Sequence, residues 1–175
     1  MARTISLFLL SFCLLLLLTV FATANDKPSP YEEIYREIGY KTVEKALNDF
    51  EQHFKQRPKL PLRVPPISFT HHFGRFNNLE GDINDSFEVK YISDISSENH
   101  YKIDIRPLEN KLTFIDRGNQ KPYILKNGQK AIYFEHQLFN FLVFENGNWQ
   151  YMLGIDKRVF KVTPDILVEI ANSIE

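Results

Sequence analysis

The sequence predicts an α+β fold, an antiparallel, curved sheet of about seven strands with a long N-terminal helix and a C-terminal helix packed on it. Three observations predict it. Residues 31–56 carry an apolar stripe at intervals of three and four. Residues 67–160 are a chain of period-two segments separated by turn signals. Residues 163–174 return to helical spacing.

The first helix places Ile34, Tyr35, Ile38, Val43, Ala46, Leu47, Phe50 and Phe54 on one face, opposite Glu33, Arg36, Glu37, Glu44, Lys45 and Glu51. Ser29 and Pro30 are start signals, and Gly39 inside the pattern predicts a kink or a close contact. Residues 57–66 (RPKLPLRVPP) hold four prolines and read as a stiff extended connector. Period-two alternation then predicts strands over Ile67–Phe73, Ser86–Ile92, His100–Arg106, Lys111–Ile115, Tyr123–Lys126, Lys130–Glu135, Phe139–Glu145 and Trp149–Leu153. Asn127-Gly128 and Asn146-Gly147 are hairpin signals, because both central positions of a type I′ turn need positive φ. Consecutive strands with tight turns predict a meander. Thr163 as N-cap, Pro164 at N1 and Asp165 near the helix dipole open the last helix.

Residues 1–24 read as a signal peptide. A charged start at Arg3 precedes the apolar run Ile5–Phe21, and Ala22-Thr23-Ala24 is a small-x-small cleavage site that cuts between Ala24 and Asn25. Left uncleaved, the run would reach the lower length limit of a membrane anchor. Bulky Phe12 before Cys13 argues against lipoprotein processing. Residues 25–30 are a spacer, and residues 31–175 a single domain of about 150 residues, long enough for a core of its own. Cys13 is the only cysteine, so the exported domain has no disulfide, which favours a bacterial origin. Acids and bases nearly balance, 22 Asp+Glu against 21 Lys+Arg, which argues against nucleic acid or an anionic membrane surface as partner.

The stretch FTHHFGRF (residues 69–76) invites a metal reading. On a strand, adjacent side chains point to opposite faces, so His71 and His72 cannot chelate one ion. The alternation places His71 with Phe69 and Phe73 toward the core, and His72 with Ser68 and Thr70 toward solvent or a groove. No further ligand spacing is present, and neither a metal nor a cofactor is expected. Asp82, Asn84 and Ser86 fit the first positions of a calcium loop, but Phe87 stands where glycine is needed and Ser93 where glutamate is needed. No nucleophile motif occurs either. The candidate ligand-binding residues are therefore His72, with Thr70 and Arg75.

The C-terminal segment carries a family likeness. Tyr123 to Ala131, Tyr133, Leu142-Val143-Phe144-Glu145, Trp149-Gln150-Tyr151 and Leu167 to Ile174 resemble an uncharacterised domain family of exported and membrane-anchored proteins of Gram-positive, spore-forming bacteria. Phe144 stands where that family carries tryptophan, with Trp149 later. The resemblance covers roughly the last 55 residues and implies no catalytic residues. Some relatives look like the half-barrel lipid-carrier and sigma-regulator sensor domains of bacterial envelopes, which implies a ligand-holding groove.

Together these readings give the expectation of an exported, non-enzymatic binding or interaction domain of a Gram-positive cell envelope. Its partner would be a peptide, a lipid or an envelope protein, with membrane attachment only through an uncleaved signal. The alternatives are a secreted hydrolase using His71 or His72, and a structural or regulatory partner of another envelope protein.

Overall fold

A computed structural model describes residues 30–79, 84–115 and 118–174 of the chain. The chain divides into two units, Met1–Glu33 and Ile34–Glu175. Of the first, only Pro30–Glu33 is described, as the opening of a helix. The expected cleavage site at Ala24 and Asn25, and the Asp82 position, lie outside the described residues. Among the described residues no helix is long and apolar enough to cross a membrane.

The predicted class holds. Seven antiparallel strands form one open sheet: β1 (His71–Asn77), β2 (Ser86–Ile92), β3 (Tyr101–Pro107), β4 (Lys121–Ile124), β5 (Lys130–His136), β6 (Phe139–Asn146) and β7 (Trp149–Asp156). Helices α1 (Pro30–Glu37), α2 (Val43–Phe54) and α3 (Pro164–Ala171) accompany it.

The single helix expected over residues 31–56 is two helices. Gly39 takes φ +91°, a left-handed value that suits glycine, and the Gly39 and Tyr40 N–H groups close α1 on Arg36 O and Tyr35 O. Thr42 then starts α2 as its N-cap, its hydroxyl accepting from the Lys45 N–H at 3.3 Å. At the far end Lys55 turns left-handed (φ 56°), and Arg57 folds back along α2 onto Asn48, Glu51 and Glu44.

The strand order β1-β2-β3-β7-β6-β5-β4 departs once from a simple meander. After β3 the chain crosses to the far edge and returns through β4, β5, β6 and β7. That crossing uses the segment expected as a strand over Lys111–Ile115. It is irregular instead, because Gln150 of β7 takes its backbone: Leu112 N–H donates to Gln150 Oε1 (2.8 Å) and Gln150 Nε2 to Leu112 O (2.9 Å). The first strand starts at His71 rather than Ile67, since the proline connector still runs beside α3 and the sheet. Leu62 N–H donates to Ser173 O, and the Tyr151 hydroxyl to Lys59 O. Thr163 sits at the N-cap of α3 with extended dihedrals, but its side chain makes no capping bond.

The sheet has a core face and an outer face. On the core face Phe87, Val89, Tyr101, Ile103, Ile105, Leu142, Phe144, Trp149, Tyr151, Leu153 and Ile155 meet Ala46, Leu47 and Phe50 of α2 and Leu167, Ile170 and Ala171 of α3. Phe50 is fully buried, with its ring centroid 5.1 Å from Trp149, 5.4 Å from Phe76 and 5.9 Å from Phe87. Gly74 lets α2 approach β1 closely: a Cβ there would come within 2.7 Å of Val43 Cα. At these residues the seam between α2 and the sheet is packed by side chains.

Candidate functional site

Register fixes what the outer face carries. One row across the sheet reads Arg75, Glu88, Asp104, Met152, Val143, and the next reads Phe73, Lys90, Lys102, Gly154, Phe141, Phe134. A third begins beyond β3 with His100, whose carbonyl accepts from the Asp156 N–H, and continues to Phe139. The middle of the face is charged, and its two sides are aromatic.

On one side Tyr35 stacks on Phe73 at 4.7 Å, and Tyr40 meets Tyr35 edge-on at 5.1 Å. The Tyr40 hydroxyl donates to Glu88 Oε2 at 2.8 Å, and Arg75 Nη2 donates to the same oxygen at 3.1 Å. Lys90 Nζ lies 3.4 Å from Glu88 Oε1 and 4.9 Å from the Tyr40 ring centroid, and the Arg75 guanidinium lies 4.5 Å from that centroid. Burial, and then Glu88, push the Tyr40 hydroxyl far above its ordinary pKa. On the other side Phe114, Phe134, Phe139, Phe141, Val143 and Met152 pack together. Next to them the segment 111–114, with Ile132, Val143 and Gln150, lines a groove of about 460 Å³.

Between these clusters the pairing is unusual. Glu88 faces Asp104 directly, and Lys90 faces Lys102. Like charges opposite each other are destabilising in a sheet. Burial raises the Asp104 pKa, an effect that Arg106, 3.3 Å away, opposes. Lys102 Nζ lies 5.0 Å from the Phe139 ring centroid and 5.1 Å from that of Phe141. Gly154 makes this possible: a Cβ there would stand 2.7 Å from Phe141 Cε1 and 3.1 Å from Lys102 Cε.

The residues singled out from the sequence do not converge. His72 is exposed at the edge of the core face, stacked on Tyr91 at 5.9 Å. Arg75 belongs to the outer face, and Thr70 precedes β1, its hydroxyl 2.7 Å from His71 Nδ1 and accepting from the Asp94 N–H. Phe69 packs against the core as expected, but from His71 on the face assignment is reversed: His71 and Phe73 lie on the outer face, while His72, Gly74 and Phe76 lie on the side of α2. Phe76 carries the core contact that the alternation assigned to Phe73. Among the described residues no group of three or more His, Cys, Asp and Glu could hold a metal ion.

No family model matches the chain, and searches of the curated proteins and of the solved structures return no match.

Sequence reasoning missed Tyr40, Glu88, Lys90, His100, Lys102 and Asp104. The available signal was the polar half of each alternation, Glu88 and Lys90 in SFEVKYI, and Lys102, Asp104 and Arg106 in HYKIDIR. Alternation alone reads such positions as a solvated face.

Proposed function

We propose that the protein is an exported, non-enzymatic binding domain of a Gram-positive cell envelope that takes its ligand on the outer face of the sheet. The observation that carries this is the band of opposed like charges on β2 and β3, held between two aromatic clusters. Such a band costs folding stability, and a ligand with complementary groups offsets that cost. The aromatic sides supply apolar contact area beside it. The packed seam beneath α2 directs the choice to this face rather than to a helix–sheet pocket. The signal-like residues 1–24 and the resemblance of the C-terminal segment support the envelope setting.

The test uses the chain from Asn25 onward. Native mass spectrometry looks for a co-purified ligand, and a panel of peptides, lipids and small acids is screened for binding. Met152→Arg places a long cation in the middle of the outer face, and Leu62→Ala changes the distant connector. Binding that Met152→Arg abolishes and Leu62→Ala spares is expected. The absence of any ligand, or binding indifferent to Met152→Arg, overturns the reading.

A further inference from the structure

We infer that Lys90, Lys102 and His100 form a seat for an oxyanion, a carboxylate or phosphate, whose apolar body rests against Phe139 and Phe141. The inference rests on the reading of the outer face as the ligand surface and names the chemistry of that ligand.

The three basic groups spring from a small patch. Lys90 and Lys102 are direct cross-strand partners, and His100 is two residues before Lys102, so their Cα atoms span roughly 5 Å by 7 Å. The acids around them are already engaged. Glu88 is shared among Tyr40, Arg75 and Lys90. Asp156 accepts from Arg158 three times, from its N at 2.9 Å, Nε at 3.0 Å and Nη2 at 2.7 Å. Asp104 holds Arg106. Lys102 has no carboxylate partner among the described residues and is held only over two phenyl rings.

His100 supplies the second observation. Its ring meets Phe139 edge-on at 5.0 Å, and its Nε2 is buried without a hydrogen-bond partner. A buried nitrogen left unsatisfied is costly, and an oxyanion drawn in beside Phe139 would satisfy it and give Lys102 the acidic partner it lacks, with Lys90, held on Glu88, adding charge from the neighbouring strand. The groups that face His100 are Glu88 and Lys90 from β2, Lys102 from β3, Asp156 from β7 and Phe139 from β6. Burial, and then Lys90 and Lys102, lower its pKa. A bound anion reverses that balance and raises the pKa.

The experiment follows the His100 ring resonances by NMR while the chain is titrated with phenyl phosphate, benzoate, inorganic phosphate and benzylamine. Phenyl phosphate and benzoate are expected to shift His100 saturably and to raise its apparent pKa. Inorganic phosphate should bind at least tenfold more weakly, and benzylamine should leave His100 unmoved. Lys102→Gln should weaken phenyl phosphate at least tenfold, and Lys102→Arg should restore most of the affinity. A His100 signal indifferent to the oxyanions, or affinity unchanged in Lys102→Gln, overturns the seat. Inorganic phosphate binding as tightly as phenyl phosphate overturns the apolar half. Vesicles of phosphatidylcholine with and without phosphatidate separate the sources. Sedimentation that requires phosphatidate and Lys102 supports the seat with a lipid headgroup. Phenyl phosphate binding without sedimentation supports it with a soluble acid. A panel ligand lost in Met152→Arg but indifferent to Lys102→Gln overturns the seat and leaves the outer-face reading intact.

Discussion

The Tyr40 hydroxyl reaches across 48 residues of sequence to Glu88 Oε2, 2.8 Å away, and ties the turn between α1 and α2 to the outer face of β2. Hydrogen bonds to ionised partners contribute about 1.5–3 kcal/mol. Arg75 stays on the same oxygen when the hydroxyl is removed, so Tyr40→Phe should cost the lower part of that range. Urea unfolding checks it, and an unchanged midpoint would show that Arg75 and Lys90 suffice for Glu88.

Alkaline pH should destabilise the fold through buried phenols. Burial raises the Tyr40 and Tyr101 hydroxyls, and raises Tyr151 to about 12. Their protonation favours the folded state once unfolded tyrosines ionise near pH 10. This stability is complete below about pH 10 and falls as pH rises beyond it. Unfolding free energies at pH 9, 10 and 11 should be level and then drop, with a smaller drop in Tyr151→Phe.

Two glycines should respond differently to alanine. In Gly74→Ala the new methyl meets Val43 Cα at 2.7 Å and Ala46 Cβ at 3.0 Å, so α2 must move, at a cost of about 1–3 kcal/mol. In Gly154→Ala it meets the Phe141 ring and the end of Lys102, both of which can rotate away. The second variant should lose less stability by thermal unfolding and more affinity for phenyl phosphate.

Phe50→Ala should be the most damaging of these changes, removing a ring that touches Phe54, Phe76, Phe87 and Trp149. A loss of about 3–5 kcal/mol is expected. Trp149 is the single tryptophan, so its fluorescence reports directly on the cavity.

The free edge of β4 is guarded by a proline. Leu125 N–H donates to Gln129 O, so by alternation the backbone groups of Pro122 and Ile124 point away from β5. Pro122 offers no N–H there, and the strand is only four residues long. Pro122→Val should raise concentration-dependent association in light scattering, and an unaltered mass would assign the protection to strand length alone.

Particular residues show how far the sequence could be read. Ser86–Ile92 alternates cleanly because β2 has a packed core side and a charged outer side, and its predicted bounds match the strand. Both Asn-Gly signals mark hairpins, but not as type I′ pairs: Asn127-Gly128 lies within a longer loop between β4 and β5, the second turn is Gly147-Asn148 with Asn146 ending β6, and only the glycines take positive φ. The stripe over residues 31–56 is continuous, but the break lies in backbone geometry at Gly39 and Thr42, which spacing does not record. Phe69 and Phe73 share an alternation, yet Phe69 packs on the core side against Tyr91 and Tyr101 while Phe73 belongs with Tyr40 on the outer side. The connector ends between them, and period two carries no information across it. The outer site escaped for a different reason: it consists of cross-strand pairs such as Lys90 and Lys102, and pairing is a property of register, not of one strand.

The single crossover in strand order sets how this chain must assemble. β1 to β3 and β4 to β7 are each runs of sequential hairpins, in which partners lie close in sequence. Only the β3–β7 seam, with Tyr101 opposite Ile155 and Pro107 opposite Trp149, joins distant stretches. Loop closure makes that seam the slow encounter, so folding should wait on it while both halves form early. Substitutions at Ile103 or Leu153, which face each other there, should retard the folding rate, whereas those in β4 should mainly hasten unfolding.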